Sequence, residues 1–164
     1  MKRRKGFTLV ELMIVVCLLA FISAIGGLWL HYYTLNRNLR TAARDIASDF
    51  AIFKGRAVSD NITYQIAFDT TAPGSYTIQS VVGGVVANLT TKSPSAFGSG
   101  IRIISATFGA GGSQTVRFSP RGIVSSPVDQ LVVGDGVVLQ NTRTSQATIT
   151  VNLTGRTYVT FVII

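Results

Sequence analysis

The chain has 164 residues, 15 of them basic and 7 acidic, for a formal net charge of +8. That length holds one domain plus an anchor, and the single cysteine, Cys17, excludes an intramolecular disulfide. One histidine and a few scattered carboxylates argue against an enzyme that works through a metal or a histidine base.

Residues 1–6 form a basic leader, Lys2-Arg3-Arg4-Lys5 followed by Gly6. Without those four cations, 11 basic residues face 7 acidic ones and the net charge falls to +4. The basicity is therefore a weak argument for nucleic acid. Residues 7–30 are an apolar run with one acid, Glu11, near its start. A helix over this run, at about 1.5 Å per residue, is long enough to span a bilayer. The preceding positive charges hold the N-terminus in the cytoplasm and export the rest. The run is longer than the apolar core of a cleaved secretory signal, about 7–15 residues. A carboxylate at the centre of a membrane helix costs roughly 2.5–3.5 kcal/mol, and less near the interface. Glu11 therefore needs a partner. An amine freed by cutting after Gly6, on a neighbouring copy, is a natural one.

Residues 31–59 turn amphipathic. Leu35, Leu39, Ala42, Ile46, Phe50, Phe53 and Ala57 recur at helical spacing and predict a buried stripe. Arg37, Arg40, Arg44, Asp49, Lys54 and Arg56 are placed on the opposite side. No proline interrupts residues 7–59, which predicts one helix with its weak point at Gly26-Gly27.

Beyond residue 60 the period changes to two. Ile62, Tyr64, Ile66 and Phe68 alternate with polar or small residues, as in a half-buried strand. Residues 76–82 form a second strand, and Gly83-Gly84 predicts a tight hairpin. Residues 89–100 read as a polar loop. Further strands are expected at 101–108, 114–119, 123–124, 131–133, 137–140, 147–153 and 158–164, separated by Gly- and Pro-containing turns. The class is α+β: a long N-terminal helix, transmembrane in its first half and amphipathic in its second, packed on an antiparallel sheet of about eight short strands. The expected organisation is a leader at 1–6, a membrane half of the stem at 7–30, an amphipathic half at 31–59, and a β-domain at 60–164.

The stretch Gly6-Phe7-Thr8-Leu9-Val10-Glu11 resembles the processing site of type IV pilins and type II secretion pseudopilins. The resemblance implies that a prepilin peptidase cuts between Gly6 and Phe7 and N-methylates Phe7. It implies that Glu11 pairs with the N-terminal amine of an adjacent subunit. It also implies other major and minor pilins as partners, and residence in the bacterial inner membrane before incorporation into a pilus or pseudopilus. Three later stretches are similar to the GspH/FimT group of minor pseudopilins and pilins. They are Ala42-Ala43-Arg44-Asp45-Ile46-Ala47-Ser48-Asp49-Phe50, Val116-Arg117-Phe118-Ser119-Pro120-Arg121-Gly122 and Ile149-Thr150-Val151-Asn152-Leu153-Thr154-Gly155-Arg156.

Other constellations are thin. His31 falls at the membrane edge, where an interfacial side chain is the plain reading. Asp60, Asp69, Asp129 and Asp135 sit in or beside expected turns; Asp129 and Asp135 lack the spaced oxygen ligands of a calcium loop. Gly109-Ala110-Gly111-Gly112 lacks the lysine and helix of a phosphate loop. Some FimT-like pilins bind DNA through a Gly-Arg-x-Arg motif. The matching stretch here is Gly155-Arg156-Thr157-Tyr158, with one arginine replaced, so Arg156 is the one residue of that motif left for DNA. No cofactor or metal is expected. The readings are a structural pilin-like subunit, a DNA-binding minor pilin, or an unrelated single-pass protein with a β-domain.

Overall fold

The computed structural model describes residues 7–164, with the side chains of residues 24–32 outside the description. Gly6, the Gly26-Gly27 pair and His31 thus lie outside the described residues. One α-helix, α1, covers Leu9–Asp60. It begins two residues later than expected and ends one later. The chain divides into two compact units, one ending at Thr34 and one covering Leu35–Ile164.

In the first unit every described side chain of residues 7–23 is exposed, with Phe7 80%, Leu9 75% and Phe21 73% accessible. The apolar residues point in all directions around the helix, as the sequence requires. Among the described residues no helix is long and apolar enough to cross a membrane. The span expected over residues 7–30 lies only partly within them.

The second unit holds nine strands: β1 Thr63–Asp69, β2 Ser75–Val82, β3 Val85–Lys92, β4 Arg102–Thr107, β5 Thr115–Phe118, β6 Val124–Ser125, β7 Gly136–Gln140, β8 Gln146–Val151 and β9 Thr157–Val162. A short 3-10 helix, Pro94–Phe97, precedes β4. The strands form two antiparallel sheets where one was expected. Their orders are β3-β2-β1-β5-β6 and β4-β7-β8-β9. Gly83 and Gly84, with φ of +59° and +84°, make the predicted tight turn between β2 and β3.

Two local expectations are corrected. Residues 89–92 are strand, not loop, because the threonines that made the segment look polar are β-branched and continue the ladder with β2. Residues 131–133 form no strand. The carboxylate of the buried Asp135 accepts the Val132 N–H at 2.7 Å and the Gly109 N–H at 2.7 Å, holding that segment as a latch between two turns.

The stripe on α1 is the centre of the core. Leu39, Ala42, Ile46, Phe50, Phe53 and Ala57 are all buried, and Leu35 is half-buried. The Phe50 ring lies 6.2 Å from Phe68, 5.8 Å from Phe118 and 6.5 Å from Phe108, centroid to centroid. Phe68 and Phe118 belong to the five-stranded sheet, and Phe108 follows β4 of the other, so one side chain touches both halves of the core. Burying a side chain of this size stabilises the fold by about 1.5–3 kcal/mol. The inward residues of the strands, such as Ile66, Ile78, Ile103, Leu139 and Ile149, complete it at 2% exposure or less.

Candidate functional site

The first candidate is the start of α1. Thr8 precedes the helix, and its hydroxyl accepts the Glu11 N–H at 3.2 Å. Glu11 reaches back, with Oε2 at 3.5 Å from both the Thr8 backbone N and Oγ1. This is the reciprocal geometry of a capping box, in which two otherwise unpartnered N–H groups of the first turn are satisfied. The Thr-x-x-Glu spacing carries that signal in the sequence. The carboxylate sits where the positive end of the helix dipole also favours it. Phe7 and Glu11 are both solvent-exposed, so this end is open to another chain. Gly6 lies outside the described residues.

The second candidate is a polar cluster on α1, β2 and β3 that the sequence did not assemble. Lys92 Nζ donates to Asp49 Oδ2 at 2.8 Å, to Asp49 Oδ1 at 2.9 Å and to Asp45 Oδ2 at 3.1 Å. The Tyr76 hydroxyl lies 2.8 Å from Asp49 Oδ2 and 3.0 Å from Asp45 Oδ2, sharing one proton between two carboxylates. Asp49 is buried, which corrects its placement on the polar side of the helix. It stands beside Phe50 at the border of the stripe, and the Lys92 ammonium makes its burial tolerable. Burial pushes the Tyr76 phenol far above its ordinary value, reinforced by the two carboxylates. Burial pulls Lys92 down, but the hydrogen bonds and charges of Asp49 and Asp45 outweigh it, and the net shift is upward. The arrangement fastens a helix to a sheet. Every group in it is engaged with another.

Arg156, the third candidate, lies in the turn before β9 and is exposed. Its guanidinium sits 5.8 Å from the centroid of the Tyr158 ring, the residue that replaces the second arginine. Beside it, Lys54 Nζ donates to the Thr154 carbonyl at 2.6 Å, so this turn is tied to α1. Asp129 and Asp135 are not brought together as ligands. Among the described residues no group of three or more His, Cys, Asp and Glu could hold a metal ion.

Residues 1–27 match the prokaryotic N-terminal methylation motif family. No curated protein and no solved structure matches the chain. The motif indicates a type IV pilin-like or pseudopilin subunit, and with it processing by a prepilin peptidase.

Proposed function

We propose that the chain is a minor pseudopilin of type II secretion or a minor pilin of a type IV pilus, of the GspH/FimT-like group. It is a structural subunit with no reaction of its own. The first half of its stem anchors it in the bacterial inner membrane, and the β-domain faces the periplasm or the filament surface. The observation that carries this is the methylation motif over residues 1–27, within which Gly6, Phe7 and Glu11 stand at the spacing of a processing and assembly site.

Two further features support it. The described part of the first unit is apolar on all faces and fully exposed, and such a helix requires lipid or other stems to cover it. The second half of α1 already has a cover in the sheets of its own unit. The two halves of one helix thus serve assembly and folding separately. A structural role is favoured over DNA reception because Arg156 engages Tyr158 and not a second cation.

The assembly role of Glu11 is tested by incorporation. Glu11→Ala should be processed normally and then be missing from the assembled filament. Recovery of the alanine variant in purified filaments at the wild-type level would remove the proposed role of that carboxylate.

A further inference from the structure

The second unit begins on α1 at Leu35, and the end of the β-domain around that entry gathers arginines. Arg37 and Arg40 are exposed and neighbours on one face of α1. The Arg40 guanidinium stands 5.5 Å from the Phe161 ring centroid, which brings the end of β9 beside it. From β9 across its sheet, Val162, Gln146, Gln140 and Arg102 stand side by side in register. Arg102 is exposed, and its Nη2 donates to Gln140 Oε1 at 2.7 Å. The turn between β7 and β8 holds a fourth exposed arginine, Arg143. Asn141 fixes that turn. Its Oδ1 accepts the Arg143 backbone N–H at 2.9 Å, and its Nδ2 donates to Asn36 Oδ1 on α1 at 2.9 Å.

The side-chain charge at this end is of one sign. Residues 35–44, 93–107 and 136–164 hold no Asp, Glu or Lys. The next acids along α1, Asp45 and Asp49, are held by Lys92. A carboxylate on Ile164 offsets only one of the four arginines. Between the arginines the surface is apolar. Val162 and Ile164 are each 63% exposed. The Ile164 N–H donates to Ser145 Oγ at 3.0 Å, which holds these last residues against the turn that carries Arg143. The position in the chain is also unusual. Positive charge normally gathers on the cytoplasmic flank of a membrane span, counted within about 15–20 residues of its ends. With residues 7–30 as the anchor, Arg37 and Arg40 follow Leu30 closely on the exported side.

We propose that this end of the β-domain docks on anionic phospholipid headgroups. The guanidinium group is a planar fork that takes phosphate oxygens two at a time, which a lysine ammonium does not. The apolar strip decides between sources of phosphate. A nucleic acid backbone offers nothing to Val162 and Ile164. The headgroup layer offers phosphate to the arginines and the acyl boundary to the two apolar side chains, as it does for other interfacial surfaces with basic residues around apolar ones. The docked state holds the β-domain down on the bilayer while the subunit is unassembled. The proposal rests on the membrane role of the stem, which brings this surface to the lipid.

The test uses the full chain, Cys17→Ala, in nanodiscs of phosphatidylcholine alone or mixed with phosphatidylglycerol, with a quencher on the lipid headgroups. A fluorophore on Thr142→Cys, in the exposed turn beside Arg143, reports docking. Phosphatidylglycerol should increase its quenching several-fold, and added salt should reverse the increase. The control label is Thr154→Cys, in the turn tied to Lys54. At about 1.5 Å per residue α1 puts Lys54 roughly 20 Å beyond Arg40, so this label should not respond. Arg37→Gln with Arg40→Gln should keep the melting temperature and lower the docked-to-free ratio about thirtyfold, at about fivefold per arginine near an anionic surface. Equal quenching in the two lipids, no effect of salt, or a folded double variant that docks like wild type would each overturn the proposal. So would a double variant that docks normally and is lost only from filaments, which would set these arginines against a neighbouring subunit. Entry into the neutral discs reads the anchor separately. A chain that stays out of them contradicts the membrane role of the stem, whereas one that enters them and shows no response to phosphatidylglycerol contradicts the docking alone.

Discussion

Lys92 Nζ and Asp49 Oδ2 lie 2.8 Å apart, joining the last residue of β3 to the C-terminal part of α1 across 43 positions of sequence. The carboxylate side chain is 7% exposed and the lysine 37%. Removing the cation leaves a buried charge with only Tyr76 to donate to it. Breaking a fully buried pair costs about 3–5 kcal/mol; the solvent access of Lys92 lowers that. Lys92→Met should destabilise the β-domain by about 2 kcal/mol in urea melts, and adding Asp49→Asn should recover part of the loss. A Lys92→Met variant as stable as wild type would show that the pair contributes nothing.

The same cluster sets an alkaline limit. Lys92 is raised above 10.5 in the folded chain, so its ammonium stabilises the fold below that value and ceases to as pH climbs through the higher folded one. Tyr76 is raised above 10.0 with its neutral form favoured, and its contribution is also lost on going up. Stability should therefore fall above pH 10. In Tyr76→Phe carrying Lys92→Met the fall should be shallower, as read from melting temperature against pH. Equal slopes in the two proteins would contradict the assignment.

Gly136 opens β7 opposite Thr150 of β8. A methyl group there would run into the Ile149 carbonyl and the Thr150 backbone. Neither can swing aside as a side chain could. Gly136→Ala should cost about 3 kcal/mol, in the range of core overpacking, and should lower the melting temperature. Gly111→Ala, with open space around it, is the comparison and should change little.

Much of this architecture follows from periodicity. The helical stripe from Leu39 to Ala57 is buried as its spacing requires, and Gly83-Gly84 turns where the glycines allow positive φ. Partners distant in sequence were not legible. Nothing near Asp49 announces Lys92, so a carboxylate at the border of the stripe reads as solvent-facing. The division of the strands into two sheets is also invisible locally, because each strand alternates in the same way whichever sheet it joins. At the other end, Thr8 and Glu11 were readable as a capping box from their spacing alone.

The capping box offers a way to test the assembly role proposed for Glu11 apart from its role as a cap. Glutamine can serve in such a box, whereas alanine cannot. Glu11→Gln should keep the first turn of α1 ordered, as seen by amide hydrogen exchange, yet fail to enter filaments as severely as Glu11→Ala. Normal incorporation of the glutamine variant would mean that the cap matters and the charge does not.

Mass spectrometry of the mature N-terminus, in cells that contain a prepilin peptidase, tests the central claim most directly. The account predicts a chain that begins at N-methylated Phe7, and a Gly6→Ala variant that retains its leader. A mature protein that still begins at Met1, or a Gly6→Ala variant shortened like the wild type, would contradict it.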